Sequence, residues 1–178
     1  AITVTHLSAA TASLVWVVIE WQKFGKPSLV GIVTGTIAGL ATITPASGFV
    51  GPMGGICIGL IGGFICYYAV GLVKHTWKLD DSLDVFAVHG IGGILGTLLV
   101  AIFAAESLGG TGYGEGGTMV SQLVTQSIGV LGTIVWTVVA TWIVCKIVGG
   151  LTGGLRAADD EITEGLDLSY HGERDYNF

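Results

Sequence analysis

Asp80-Asp81-Ser82-Leu83-Asp84-Val85-Phe86-Ala87-Val88-His89-Gly90-Ile91-Gly92-Gly93 reads as an acidic helix start that runs into an apolar segment carrying one histidine. From position 85 to 105 no Asp, Glu, Lys or Arg interrupts the chain. A run of that length makes about 31 Å of helix at ~1.5 Å per residue, enough to cross a bilayer core. His89 is the only ionisable side chain in it. On a membrane helix such a group costs on the order of a few kcal/mol unless it faces a bundle interior or a wet cavity, which makes His89 a candidate functional residue. The alternative is a neutral imidazole hydrogen-bonded to a neighbouring helix.

Composition gives the solvent. Hydrophobic residues make up 51% of the 178-residue chain and charged residues 11%, with a mean hydropathy of +0.77, against roughly 25% charged residues in soluble domains. The chain is an all-α integral membrane protein on this reading. Its 30 glycines fall mostly inside apolar stretches, where they allow close helix packing rather than flexibility. The formal charge of −6 gathers towards the end of the chain and no basic run occurs, which argues against a nucleic-acid partner. Cys57, Cys66 and Cys145 sit in apolar segments without metal-site or disulfide spacing and read as small buried hydrophobes. No metal or cofactor set is legible, and no nucleophile, base and metal constellation supports an enzyme. The first residue is not Met and no charged n-region precedes the first apolar segment, so the expectation is a chain that starts partway through a larger protein.

Five spans are expected, at about 3–21, 27–44, 52–73, 84–105 and 123–148, making residues 1–150 a membrane bundle and 151–178 a polar tail. In the first, Glu20, Trp21 and Lys23 mark the headgroup level, and His6 reads as an interfacial or packing residue. The second starts at Pro27, a good first-turn residue, and stops at Pro45 and Gly48. Gly31, Gly35 and Gly39 line one of its faces, and Gly51, Gly55, Gly59 and Gly63 do the same at the third span. Thr34 and Thr44 read as back-bonded to helix carbonyls. In the fourth, Asp81 is a good N-cap and Asp84 sits in the first turn, so both have a structural explanation. Trp136 and Trp142 of the fifth pack or face lipid. Lys23, Lys26, Lys74, Lys78, Lys146, Arg156 and Arg174 all fall on alternate connections, while the loops at 45–51 and 106–117 hold no Lys or Arg. That bias places the start of the chain outside and the tail in the cytoplasm, in a multi-pass protein of the plasma or inner membrane.

Four motifs in order, Gly25-Lys26-Pro27-Ser28-Leu29, Thr44-Pro45-Ala46-Ser47-Gly48, Asp84-Val85-Phe86-Ala87-Val88-His89-Gly90 and Ser107-Leu108-Gly109-Gly110, resemble the ammonium transporters of the Amt/Mep/Rh superfamily. The tail, Glu164-Gly165-Leu166-Asp167 with His171-Gly172-Glu173 and Tyr176, is similar to the Amt branch. The resemblance implies an eleven-helix subunit, ten of whose helices form two inverted five-helix repeats around a hydrophobic pore, assembled as a homotrimer. This chain would be helices seven to eleven and the cytoplasmic tail. His89 would be one of two pore histidines, with Val85 and Thr44 as pore-side neighbours and the second histidine in the absent N-terminal half. Gly165, Leu166, Asp167, His171, Gly172, Glu173 and Tyr176 would belong to a regulatory strap near the docking site of a PII-type signalling protein.

The competing reading is a non-transporting membrane subunit that presents an acidic cytoplasmic tail to a partner, with His89 merely packed. A membrane oxidoreductase with histidine-bound haem lacks a second histidine at matching depth.

Overall fold

In the computed structural model, which describes residues 1–173, the helices begin and end where side chains can satisfy the unpaired backbone groups of a helix terminus. Helix α1 (Ile2–Phe24) closes on Gly25, whose left-handed backbone (φ 75°) sends its N–H to the Trp21 carbonyl at 2.9 Å. Helix α2 (Leu29–Ile43) opens on Ser28, whose hydroxyl accepts the Gly31 N–H at 2.9 Å. Glu20, near the end of α1, accepts in turn from the Ser28 N–H (2.6 Å) and hydroxyl (3.1 Å). Pro27 therefore precedes the cap instead of opening the first turn, because a hydroxyl can take an orphan N–H and a proline ring cannot.

Helix α3 (Pro52–Gly71) runs on through a π turn at Leu72–Thr76, and a second π turn at Val85–Gly90 leads into α4 (Ile91–Phe103). Helix α5 (Met119–Thr152) outruns both of its expected ends; at its start Thr118 and Ser121 cap each other, the Ser121 N–H donating to Thr118 Oγ1 at 3.1 Å and the Thr118 N–H to Ser121 Oγ at 2.9 Å. Among the described residues, four segments are long and apolar enough to cross a membrane: Ile2–Phe24, Pro52–Thr76, Val85–Phe103 and Met119–Thr152. The 15 residues of α2 make only about 22 Å, and the chain then turns through 44–49. Among the described residues there is no β-strand.

The chain divides within α5 into compact units of residues 1–131 and 132–178. In the first, α1 is the central element, lying in the glycine grooves of both neighbours. A Cβ at Gly35 of α2 would fall 2.6 Å from the Trp16 ring, and one at Gly39 would strike the Ser8 carbonyl. On α3 a Cβ at Gly55 would meet Val4 Cγ1 at 2.9 Å, at Gly59 the Ser8 carbonyl at 2.5 Å, and at Gly63 Ala12 Cα at 2.9 Å. The register shows α1 antiparallel to α2 and parallel to α3. Two long-range bonds fix it: Ser8 Oγ donates to the Gly39 carbonyl (2.9 Å) and Trp16 Nε1 to the Gly63 carbonyl (2.9 Å). Helix α4 joins through Thr42, whose hydroxyl oxygen would stand 3.1 Å from a Cβ at Gly92 and whose carbonyl lies against Gly96. Trp16, Ala38, Cys66 and Val88 close one level of the core.

The second unit holds the rest of α5, α6 (Asp159–Glu164) and a π turn at Asp167–His171. Gly153 and Gly154 (φ 76° and 148°) end α5. Trp136 and Trp142 are exposed, and Lys146 Nζ lies 5.8 Å from the Trp142 ring centre. Cys66 is buried and Cys57 half-buried, but Cys145 is exposed on α5, where no residue is buried.

The interlock predicts that Gly59→Ala, which drives a methyl group into the Ser8 backbone, lowers the unfolding free energy by about 1–3 kcal/mol. Gly71→Ala, where nothing lies within 4 Å, should be neutral. Thermal unfolding of the full-length protein in detergent checks the pair.

Candidate functional site around His89

The Asp81 carboxylate organises the approach to His89. Its Oδ1 accepts the Val85 N–H at 2.8 Å, and its Oδ2 accepts those of Phe86 (3.0 Å) and Ala87 (3.1 Å). The next amide, Val88 N–H, goes to the Asp84 carbonyl at 2.8 Å. One acidic side chain thus takes most of the donors that a helix start leaves open, and its charge opposes the positive end of the dipole. Asp84 is not in the helical first turn: it stands just before the π turn in the left-handed region (φ 56°, ψ 27°), its Oδ1 2.7 Å from Lys74 Nζ. The short polar side chain of Asp makes that backbone tolerable.

Past this cap the segment splits into two faces. Ala87 and Val88 are buried, and the Val88 carbonyl accepts from Cys66 Sγ at 3.7 Å. His89 is exposed, as are Val85 (59%) and Phe86 (48%), and nothing lies within 4 Å of a Cβ placed at Gly93 one turn on. The imidazole therefore stands on a face that the helices of this unit leave open, with Val85 beside it. A polar or cationic species reaching that face would find the imidazole nitrogens among its hydrogen-bonding groups.

Thr44 is also exposed, but its hydroxyl donates to the Leu40 carbonyl at 2.6 Å. Helices α2 and α4 run parallel, and Thr42 lies against Gly92 and Gly96, which puts Thr44 about two turns beyond His89. The structure does not bring the two together. His6 is exposed on a separate open groove of about 780 Å³, shared with Thr5, Ser13, Thr36 and Leu40. No group of three His, Cys, Asp or Glu side chains could hold a metal ion among the described residues.

In the tail, Gly165 (φ 101°) follows α6, Leu166 precedes the π turn that contains Asp167 and His171, and Gly172 (φ 65°) ends it. The Glu173 N–H returns to the Asp167 carbonyl at 3.0 Å; Tyr176 lies outside the described residues. Glu161 Oε2 ties the two pieces together, accepting the Ala158 N–H at 2.8 Å and the Tyr170 hydroxyl at 3.0 Å. That hydrogen bond, and then the charge of Glu161, raises the Tyr170 hydroxyl above its ordinary value of 10.0.

Sequence reasoning missed the pairing of Lys74 with Asp84 and the reach of Glu20 to Ser28. For the first, a signal existed in the opposite charges at either end of one short connection. For the second there was none, since a glutamate at the headgroup level has no visible partner before the helices are packed.

The fold and this site define a polytopic membrane protein of close-packed helices with an imidazole on a face that the helices of its unit leave uncovered. The sequence model of the Ammonium Transporter Family matches residues 1–176. The chain is 45% identical over 179 residues to "Ammonium transporter Amt1" of Archaeoglobus fulgidus, covering 99% of this chain and 44% of that protein. It is 42% identical over 176 residues to "Ammonium transporter" of Aquifex aeolicus, covering 97% and 40%. Among solved structures, "Sensor Amt Protein" superposes with a TM-score of 0.84 at 31% identity, covering 95% of this chain and 41% of that one. Mep2 of Saccharomyces cerevisiae gives 0.74 at 35%, covering 84% and 37%. The chain belongs to the ammonium transporter family, and spans 40% to 44% of the length of these two curated relatives.

The tail contact carries a pH signature. A hydroxyl raised in the folded state contributes stability that is complete below its unfolded value, near 10, and is lost as pH rises through the folded value. An NMR titration of Tyr170 in the full-length protein should give a midpoint above 10 that falls back towards 10 in Glu161→Gln. A midpoint at or below 10 in the unsubstituted protein would show an unbonded hydroxyl.

Proposed function

We propose that the full-length protein conducts ammonium or ammonia across a membrane through a hydrophobic pore, and that this chain supplies the C-terminal half of it. The observation that carries the reading is the imidazole of His89, the one ionisable group of its membrane helix, standing uncovered beside Val85 in a chain of this family.

The physics of such a pore follows from its lining. A dehydrated ammonium ion is strongly opposed in an apolar channel, whereas neutral ammonia costs only what an unpaired polar molecule costs. An imidazole at the constriction offers a lone pair that accepts a hydrogen bond, or the proton, as NH₄⁺ separates into NH₃ and H⁺. The apolar walls then favour passage of the neutral species. In this reading a second imidazole comes from the N-terminal half, completing an inverted-repeat bundle of eleven helices, and Val85 and Thr44 flank the path. Asp81 and Asp84 serve the helix start and do not touch the substrate.

The alternation of lysine-bearing and lysine-free connections supports a tail on the cytoplasmic side of the plasma or inner membrane. There the segment from Gly165 through Leu166, Asp167, His171, Gly172 and Glu173 to Tyr176 forms a regulatory strap across the subunits of a homotrimer. The strap offers its surface to a PII-type signalling protein.

In the full-length protein, His89→Ala should lower ammonium flux by at least about tenfold, the scale of a lost proton-transfer group. His89→Glu, which keeps a protonatable group, should retain part of it, and residues 1–178 alone should conduct nothing. Flux, current and ammonium-over-potassium selectivity in proteoliposomes decide the matter. His89→Ala indistinguishable from the unsubstituted protein would leave the histidine a packing residue.

A further inference from the structure

Left-handed backbone at non-glycine residues lies on the approach to His89. Lys78 (φ 53°) and Asp84 (φ 56°) are the non-glycine residues with positive φ among the described residues, and they fall between the π turns at Leu72–Thr76 and Val85–Gly90. Positive φ and π geometry persist only where surrounding contacts over-determine them, and both are concentrated at functional sites. The contact that spans the two π turns is an ion pair. Lys74, in the middle of the first, places Nζ 2.7 Å from Oδ1 of Asp84, the residue that precedes the second, and 3.5 Å from the Ser82 carbonyl.

The Asp84 side chain is 17% exposed, and its Oδ1, withdrawn from solvent, faces the Lys74 ammonium. The charge of Lys74 is therefore what compensates that oxygen. Without it the carboxylate would be left buried and unpaired, and would have to turn outward to water. The Asp84 backbone is itself tied to the segment that carries the imidazole: its carbonyl holds the Val88 N–H at 2.8 Å, and Val88 is the residue before His89. On the other side Val88 is tied to Cys66.

We propose that Lys74 and Asp84 form a latch that positions His89: their ion pair fixes the left-handed turn at Asp84, and through the Asp84 carbonyl it holds the π turn that aims the imidazole along the Val85 face. Lys74 is a positioning residue and touches no substrate. The inference rests on the transport reading for its functional consequence and on the backbone alone for its geometry, and the two are tested by different readouts.

The experiment uses the full-length protein in nanodiscs and proteoliposomes, with Lys74→Met, Lys74→Arg, Asp84→Asn and the double variant Lys74→Met/Asp84→Asn. Asn tolerates the left-handed backbone, so Asp84→Asn removes the charge while keeping the turn available. Hydrogen exchange at the amides of residues 88–90 should accelerate by at least about tenfold in Lys74→Met, with exchange in α1 unchanged. The maximal rate of ammonium uptake should fall by about fivefold or more while the half-saturating concentration stays within about twofold, the mark of lost geometry rather than lost binding. Lys74→Arg should keep at least about half the rate. The double variant should be no worse than either single one, because both remove the same contact. Unchanged exchange at 88–90 in Lys74→Met, or additive losses in the double variant, would overturn the latch. An unsubstituted protein that takes up no ammonium, yet whose exchange responds as described, would uphold the latch and remove the transport reading instead.

Discussion

Helix α1 can lie at backbone contact with both α2 and α3 only because glycines face it at every turn, and the rest of the first unit depends on that approach. In hydrocarbon, apolar side chains gain nothing by leaving lipid for one another, so helices are held by dispersion at short range and by hydrogen bonds across the seam. Ser8 serves both purposes: its hydroxyl reaches the Gly39 carbonyl on α2 while its own carbonyl lies against Gly59 on α3. Trp16 does the same a turn or two on, with its ring over Gly35 and its indole N–H on the Gly63 carbonyl. Once α1 is seated, the parallel run of α2 and α4 and the depth of Val88 follow from the Thr42 contacts and the shared core of Trp16, Ala38, Cys66 and Val88.

That packing decides what His89 can be. Because Ala87 and Val88 are the residues turned inward, the next one along points away from the core. The Asp81 carboxylate fixes where the turn begins by holding the N–H groups of Val85, Phe86 and Ala87. An imidazole on such a face would be costly against lipid, and is reasonable only against another protein surface or a wet path. Solvent chemistry, helix capping and seam packing thus converge on one residue.

Much of this was legible in the sequence because its causes are local. Membrane class followed from a charged fraction of 11%, the glycine seams from their spacing of four, and the choice of His89 as a candidate from its isolation in an apolar run. Helix ends were less legible, since caps depend on partners: Ser28 displaced Pro27 at the start of α2, and Thr118 with Ser121 carried α5 to Met119. The π turns and the left-handed Asp84 were invisible, because no local pattern separates i→i+5 from i→i+4 bonding when the composition is simply apolar. Thr44 was chosen as a neighbour of His89 by motif resemblance, and only the register of α2 against α4 shows the two turns between them.

The central claim is that the face bearing His89 is covered by the protein's own other half around a conducting path. A high-resolution structure of the full-length protein in nanodiscs tests it most directly. The account predicts a second imidazole from the N-terminal half within hydrogen-bonding distance of the His89 ring, roughly 3 Å, in a narrow apolar passage. Lipid acyl density against His89, or a face sealed by close-packed apolar side chains with no passage, would contradict it.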